Sequence, residues 1–287
     1  MAAKPRATAD NEEVLITPLQ PAFGAEISNV DLRHPLTPGA FGKIRSACIR
    51  YKVIFFRDQD ITSENQVAFA RLFGELQDYP VFRSSENSAM QGLKSKYAKA
   101  DIWHTDLAWL ERPPFAAVLR SQVIPDVGGD TLWADGERAY QNLPDDLKSQ
   151  IDELCLVHDS SRIGAHYLSG EERERRLARV RELRQQYPLI AHPIAPTYPE
   201  SGNRYLFVNP ALAESIVGMS NAESRQLLDR LHQEYLRPEN TLRFRWSKNA
   251  VAMWDERRTL HYGVYDYGDK ERVMERVIIA GTDIPCR

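Results

Sequence analysis

The run TLRFRW, Thr241 to Trp246, alternates without a break: Leu242, Phe244 and Trp246 fall on one face of an extended chain, Arg243 and Arg245 on the other. A period of two belongs to a β-strand. One apolar and one charged face belong to an antiparallel sheet with one side packed and the other wet. Further strand-like runs are FAAVLRS (115–121), RYLFVN (204–209), AVAMW (250–254) and RVMERVIIAG (272–281). Helical and strand-like stretches are interleaved without the regular alternation that builds a parallel sheet. The expectation is a β-sandwich or barrel decorated by helices.

Helical signals are local. TPGAFGKIRSACIRYK has helical spacing and runs into VIFFR (53–57), a short apolar strand. Ser63-Glu64-Asn65-Gln66 and Ser220-Asn221-Ala222-Glu223 read as capping boxes, the second opening a helix with Leu227, Leu228, Leu231 and Tyr235 on one face. EERERRLARVRELRQQYP (171–188) carries Leu177, Val180 and Leu183 at helical spacing. It reads either as a solvated helix with one narrow apolar stripe or as a mobile cover over a site.

No repeat, low-complexity tract or Gly/Ser linker divides the 287 residues. The reading is a disordered tail over 1–14 and one domain over 15–287, with a helical insertion near 137–190. Formal net charge is -3, which gives no electrostatic reason to expect nucleic acid or an anionic membrane as partner. No apolar run approaches the roughly 20 residues needed to span a bilayer. The polar MAAKPRATADNEE lacks the apolar core of a secretory signal. Cys48, Cys155 and Cys286 are scattered and odd in number, which argues against a disulfide framework or a zinc knuckle and for a reducing cytoplasm.

The chemistry concentrates in ADIWHTDLAW (100–109). If this is a strand, His104 and Asp106 project to one face, with Thr105 opposite. They make either a hydrogen-bonded pair or two ligands of a metal. Imidazole, carboxylate and a second imidazole form the donor set of a mononuclear non-haem Fe(II) site. Candidates for the second histidine are His34, His158, His166, His192, His232 and His261. His34 sits in a turn, His232 on the amphipathic helix, and His158 and His192 border apolar runs. His261 follows an apolar strand and precedes RVMERVIIAG, where Arg272 and Arg276 share a face with Met274 and Ile278. Arginines on an apolar strand face either water or an anion.

Taken together, GAEISNVDLR (24–33), VIFFRDQ (53–59), AFARLFGEL (68–76), WHTD (103–106), GGDTLWAD (128–135), LFVN (206–209) and WDERRTLHYGVYDYGDKERVMERVIIAG (254–281) resemble the taurine/α-ketoglutarate dioxygenase family of Fe(II)- and 2-oxoglutarate-dependent oxygenases. The resemblance runs from about Ile16 to Pro285. It implies a mainly β fold with flanking helices around a double-stranded β-helix, the cupin-like jelly roll. It implies His104, Asp106 and His261 as ligands of Fe(II), Thr131 and Arg272 as partners of the cosubstrate 2-oxoglutarate, O2 as co-reactant, and Arg276 as the receiver of an anionic headgroup on the prime substrate. Phe207, in LFVN, joins the implied substrate pocket. A homo-oligomer, dimer or tetramer, is implied as well.

The implied reaction is hydroxylation of a C–H bond, with collapse to an aldehyde where a leaving group sits on that carbon. Asp106 occupies the position that halogenating relatives leave open, which favours hydroxylation. The sequence departs from taurine-cleaving members at Tyr79, Phe82 and Ala100, where His, Tyr and Asn are usual. These changes point away from taurine and toward an alkylsulfonate, alkyl sulfate ester or organic carboxylate with a more apolar or bulkier body. Two other readings use the same residues. A zinc hydrolase would leave Thr131 and Arg272 without a role, and a binding protein that has lost its chemistry does not explain an intact triad.

Overall fold

The computed structural model describes residues 13–78, 90–94, 100–160 and 170–287. Among them, the largest sheet runs in the order β1 (Leu15–Pro18), β2 (Ala25–Ser28), β3 (Val53–Phe56), β11 (Val251–Asp255), β5 (Ala116–Val123), β13 (Val273–Ile279), β4 (Met90–Lys94). A second sheet is β10 (Thr241–Phe244), β6 (Thr131–Asp135), β12 (Thr259–Gly263), and a third is β8 (Ala191–Pro193), β7 (Cys155–His158), β9 (Ala213–Ile216). Pairing is antiparallel except between β2 and β3.

Strand alternation sorts the apolar residues into layers. Phe55, Ala117, Leu119, Ala252, Trp254, Met274 and Ile278 of the large sheet pack with Trp133 and Phe244 of the second in one inner core. The alternate residues Ile54, Phe56, Val118, Val251, Met253, Val277 and Ile279 turn outward. There they are covered by α1 (Pro38–Tyr51) and α2 (Ser63–Arg71). Ala134 and Leu260, on the far side of the second sheet, pack beneath α3 (Gly136–Gln141), α4 (Asp145–Ile151) and α6 (Asn221–Tyr235). Two sheets closed face to face with helices outside make the jelly roll that the sequence implies. The charged segment forms α5 (Gly170–Gln186), and the stretch near 137–190 holds β7 as well as helices.

Buried charges tie the layers together. Lys52, 4% exposed, ends α1 with φ 64°, a left-handed conformation more usual for glycine, and its ammonium reaches Asp135 at 3.1 Å. Asp135 also caps α3 through the backbone N–H groups of Glu137 and Arg138. Arg258, 1% exposed, donates to Glu137 and Asp255 at 3.1 Å each. Burial raises the cost of ionising Asp255, but Arg257 and Arg258 outweigh it and hold the carboxyl below its ordinary value.

Three local readings of the sequence are corrected. The first capping box belongs to Thr62 and Asn65, one residue earlier than Ser63, whose hydroxyl instead donates to Glu275 at 3.0 Å. RYLFVN is extended and buried but not a strand: it makes one bridge, Arg204 to Thr197, and its N–H groups go to Pro196, Gly136 and Ile194. WHTDLAW is not a strand either. His104 forms a single bridge, and a turn begins at Asp106.

Candidate metal centre

The bridge at His104 builds the centre. Its partner is His261 in β12, and each residue's N–H donates to the other's carbonyl, at 3.0 and 2.7 Å. Direct opposition in an antiparallel pair puts two side chains on one face, and the imidazole centroids stand 4.1 Å apart. Asp106 reaches the same point by a corner. Leu107 takes φ 53°, and Leu107, Ala108, Trp109 and Leu110 sink into the inner core. Asn209 holds the corner from outside, its side-chain amide donating to the Thr105 carbonyl at 2.7 Å. One ligand atom from each of His104, Asp106 and His261 lies within 4.8 Å of the others, and these three form the one such group among the described residues.

The donor chemistry fits a divalent cation. Burial lowers the pKa of His104, against the pull of Asp106. Burial, with the charges of His104 and Arg276, drives that of His261 well below 6.5. Both shifts favour the neutral ring, the form that can give a lone pair. Nδ1 of His104 lies 2.7 Å from the carbonyl of Ile102, an acceptor that selects the Nδ1–H tautomer and leaves Nε2 for a metal. Nδ1 of His261 is buried without a hydrogen-bond partner among the described residues. Two imidazoles and one carboxylate on one side of a cation suit ferrous iron with open positions.

Other predicted residues surround this group. Arg276, 8% exposed, donates to the Asp106 carboxylate, so the arginine expected to meet a substrate anion sits against a candidate metal ligand. Arg272 lies one residue before β13, and its Nε donates to the Gly129 carbonyl at 3.1 Å. Burial lowers its pKa, and among the described residues no carboxylate stands within ion-pair distance. Gly129, with φ +74°, is what lets the arginine in: a Cβ there would sit 3.2 Å from the Arg272 Cδ. Thr131 is buried opposite Gly263 in the β6–β12 ladder, and its hydroxyl accepts from Trp246 Nε1 at 2.9 Å. Ala100 flanks β12, its carbonyl accepting from the Gly263 N–H at 2.8 Å. Phe207 lies in the inner core, edge-on to His158 and His192. Tyr79, Phe82 and His166 lie outside the described residues.

One neighbour escaped the sequence reading. Glu256, 1% exposed, accepts at Oε2 from the Thr105 hydroxyl at 2.6 Å and the Asp106 N–H at 2.9 Å. The signal was an acid in WDERR, five residues before His261, but nothing local shows that it points inward. His158 and His192 are core histidines, as their apolar flanks suggest: His158 Nε2 accepts from the Asn209 N–H at 3.2 Å.

A jelly roll that gathers two histidines and a carboxylate at its interior, with an arginine of the opposite sheet against the carboxylate, defines a mononuclear metal-dependent enzyme. The chain belongs to the Taurine catabolism dioxygenase TauD, TfdA family, which it matches over residues 15–278. It is 36% identical to an alpha-ketoglutarate-dependent sulfate ester dioxygenase of Pseudomonas putida, covering 94% of this chain and 90% of that protein. It is 32% identical to an alkylsulfatase of Acinetobacter baylyi, covering 94% and 86%. Among solved structures, a taurine dioxygenase from Burkholderia xenovorans superposes with a TM-score of 0.79 at 34% identity, covering 95% and 90%. AAD-2 in complex with Mn(II) and N-oxalylglycine superposes with a TM-score of 0.81 at 29% identity, covering 95% and 99%.

Proposed function

We propose that this protein is an Fe(II)- and 2-oxoglutarate-dependent dioxygenase that hydroxylates the carbon bearing an alkyl sulfate ester. The observation that carries the reading is the convergence of His104, Asp106 and His261, with ligand atoms all within 4.8 Å, together with a half-buried Arg272 whose Nε donates to the Gly129 carbonyl. Bound ferrous iron with 2-oxoglutarate and O2 supplies the oxidising chemistry, in which decarboxylation of the cosubstrate to succinate drives C–H hydroxylation.

In this reading His104, Asp106 and His261 hold the metal. The Arg272 guanidinium takes the distal carboxylate of 2-oxoglutarate, and the Thr131 hydroxyl donates to the same group while still accepting from Trp246. Arg276 receives the sulfate. Its planar guanidinium suits recognition of an oxyanion. The apolar wall of the inner core excludes water and holds the carbon in place. Hydroxylation of R–CH2–OSO3⁻ gives R–CH(OH)–OSO3⁻. The hydroxyl then forms the aldehyde carbonyl as the C–O bond to sulfur breaks, and hydrogen sulfate leaves.

Two relatives named for sulfate esters, each aligned with 94% of this chain, favour that headgroup over a sulfonate or carboxylate. Ala100, Tyr79 and Phe82 in place of the polar residues of taurine-cleaving members favour an alkyl body. The test is a screen of medium-chain alkyl sulfates, alkylsulfonates and arylalkanoates with Fe(II), 2-oxoglutarate and O2. Alkyl sulfates are expected to give succinate, aldehyde and sulfate in equal amounts, and His104→Ala to give none. Succinate formation stimulated by sulfonates or carboxylates but not by sulfate esters refutes the substrate assignment. Turnover without O2 refutes the reaction class.

A further inference from the structure

A buried carboxylic acid is costly unless its oxygens are satisfied, and Glu256 is only half satisfied. Oε2 takes the Thr105 hydroxyl and the Asp106 N–H, while Oε1 is buried with no partner among the described residues. The adjacent ligand His261 has the complementary deficit: its Nδ1 is buried and unpartnered, 4.0 Å from Glu256 Oε2. That separation is too long for a hydrogen bond, and closing it by about 1 Å would give the buried ring N–H an acceptor on this carboxyl. Glu256 also lies at the end of β11, in the turn that leads into β12, and its backbone N–H is tied to the Phe115 carbonyl at 3.0 Å. Its carboxyl therefore sits on a fixed frame behind the metal ligands. His104 already has its own outer acceptor in the Ile102 carbonyl, whereas for His261 Glu256 stands in the corresponding place.

We propose that Glu256 is a positioning residue of the metal centre: its carboxyl accepts the Nδ1–H of His261, directing Nε2 to the cation, and through Thr105 and the Asp106 N–H it holds the corner that presents the Asp106 carboxylate. One side chain thereby sets two of the three ligands. Outer partners of this kind fix the tautomer and orientation of a ligating histidine, and their removal costs about 10–100-fold in metal affinity. The assignment rests on the metal-centre reading above, and the experiment separates the two.

Protein labelled with 15N-histidine and loaded with diamagnetic Zn(II) is expected to show a downfield, slowly exchanging Nδ1–H resonance from His261, identified by its loss in His261→Ala. In Glu256→Gln, which keeps the shape and replaces the carboxyl with the weaker acceptor of an amide, the resonance is expected to move upfield. Co(II) titration followed by visible absorption should show Glu256→Leu weakened by about 10–100-fold, with Glu256→Gln between it and the wild type. A His261 resonance unmoved by Glu256→Gln overturns the proposal, as does a Co(II) affinity of either variant within threefold of wild type together with an unmoved resonance. The Glu256→Gln spectrum decides the matter even if Glu256→Leu fails to fold. A wild type that takes up neither Zn(II) nor Co(II) defeats the metal centre and this assignment together. A wild type that binds both, with the His261 resonance unmoved in Glu256→Gln, defeats only the assignment.

Discussion

His104 and His261 lie 157 positions apart and are joined as one hydrogen-bonded β-bridge, each N–H donating to the other's carbonyl at 3.0 and 2.7 Å. The bridge makes the spacing of the two imidazoles a property of the backbone. Side-chain rotation alone then decides how they meet a cation. Asp106, by contrast, depends on a corner, and that corner depends on Thr105, Asn209 and Glu256. Of the three candidate ligands, the carboxylate is the one whose place depends on side-chain contacts.

In the proposed reading, Arg272 and Arg276 divide two anions between them. Arg272→Ala is expected to weaken 2-oxoglutarate by about 10–150-fold, the loss of a charge-assisted hydrogen bond worth roughly 1.5–3 kcal/mol, while leaving the prime substrate within a few fold. Arg276→Ala should do the reverse. Binding titrations of each ligand under anaerobic conditions check this, and equal losses on both ligands in both variants would break the division.

Gly129 admits Arg272 by lacking a side chain. Gly129→Ala places a Cβ 3.2 Å from the Arg272 Cδ on a backbone with φ +74°. We expect a stability loss of about 1–2 kcal/mol from the left-handed conformation, together with weaker 2-oxoglutarate binding and unchanged affinity for Co(II). Denaturant melts and the two titrations measure these separately. A variant that binds 2-oxoglutarate as the wild type does would mean that the arginine's seat is not built by this glycine.

His158 makes stability depend on pH. Burial, reinforced by His192 and His232, lowers its pKa from 6.5 to about 3. Above 6.5 it is neutral in both folded and unfolded chains. Between 6.5 and 3 the unfolded chain takes up a proton that the folded one refuses, so stability falls as pH drops. His158→Gln keeps an acceptor for the Asn209 N–H and removes the titration. Between pH 6.5 and 5 its unfolding free energy should fall less steeply than that of the wild type, by close to 1.4 kcal/mol per pH unit at the acid end. Parallel slopes would place the titration elsewhere.

Arg258 holds two buried acids. Arg258→Met leaves Asp255 to Arg257 and Glu137 to Lys52, and a cost near the low end of about 3–5 kcal/mol is expected, because both buried carboxyls keep a cation but lose their bond to Arg258. Arg33, whose partner Asp31 lies two residues away at the surface, provides the contrast. Arg33→Ala should change stability by less than about 1 kcal/mol. Urea midpoints for the two variants test the difference.

Much of the architecture was legible because strand alternation is a local property. Leu242, Phe244 and Trp246 against Arg243 and Arg245 announced a sheet with one packed face, and that face does join the inner core. The helix at Ser220 carried its own cap, and the burial of Leu227, Leu228, Leu231 and Tyr235 follows from its period. RYLFVN misled for the same reason. Its composition describes burial, which it has, but its N–H groups are split between Gly136 and the 194–196 segment, and no stretch of sequence records where a distant carbonyl lies.

Residue identity and order determined the donor types: two imidazoles, one carboxylate and a pair of arginines, together with the alternation that turns Met274 and Ile278 inward with Arg276. The tertiary structure decided which groups meet. His104 faces His261 through a long-range bridge, Asp106 arrives by a corner where a strand was expected, and an unheralded Glu256 closes in behind them. The reason is one of range. Side-chain chemistry and two-residue periodicity are written into neighbouring positions, whereas the convergence of ligands depends on hydrogen bonds between segments that only folding brings together.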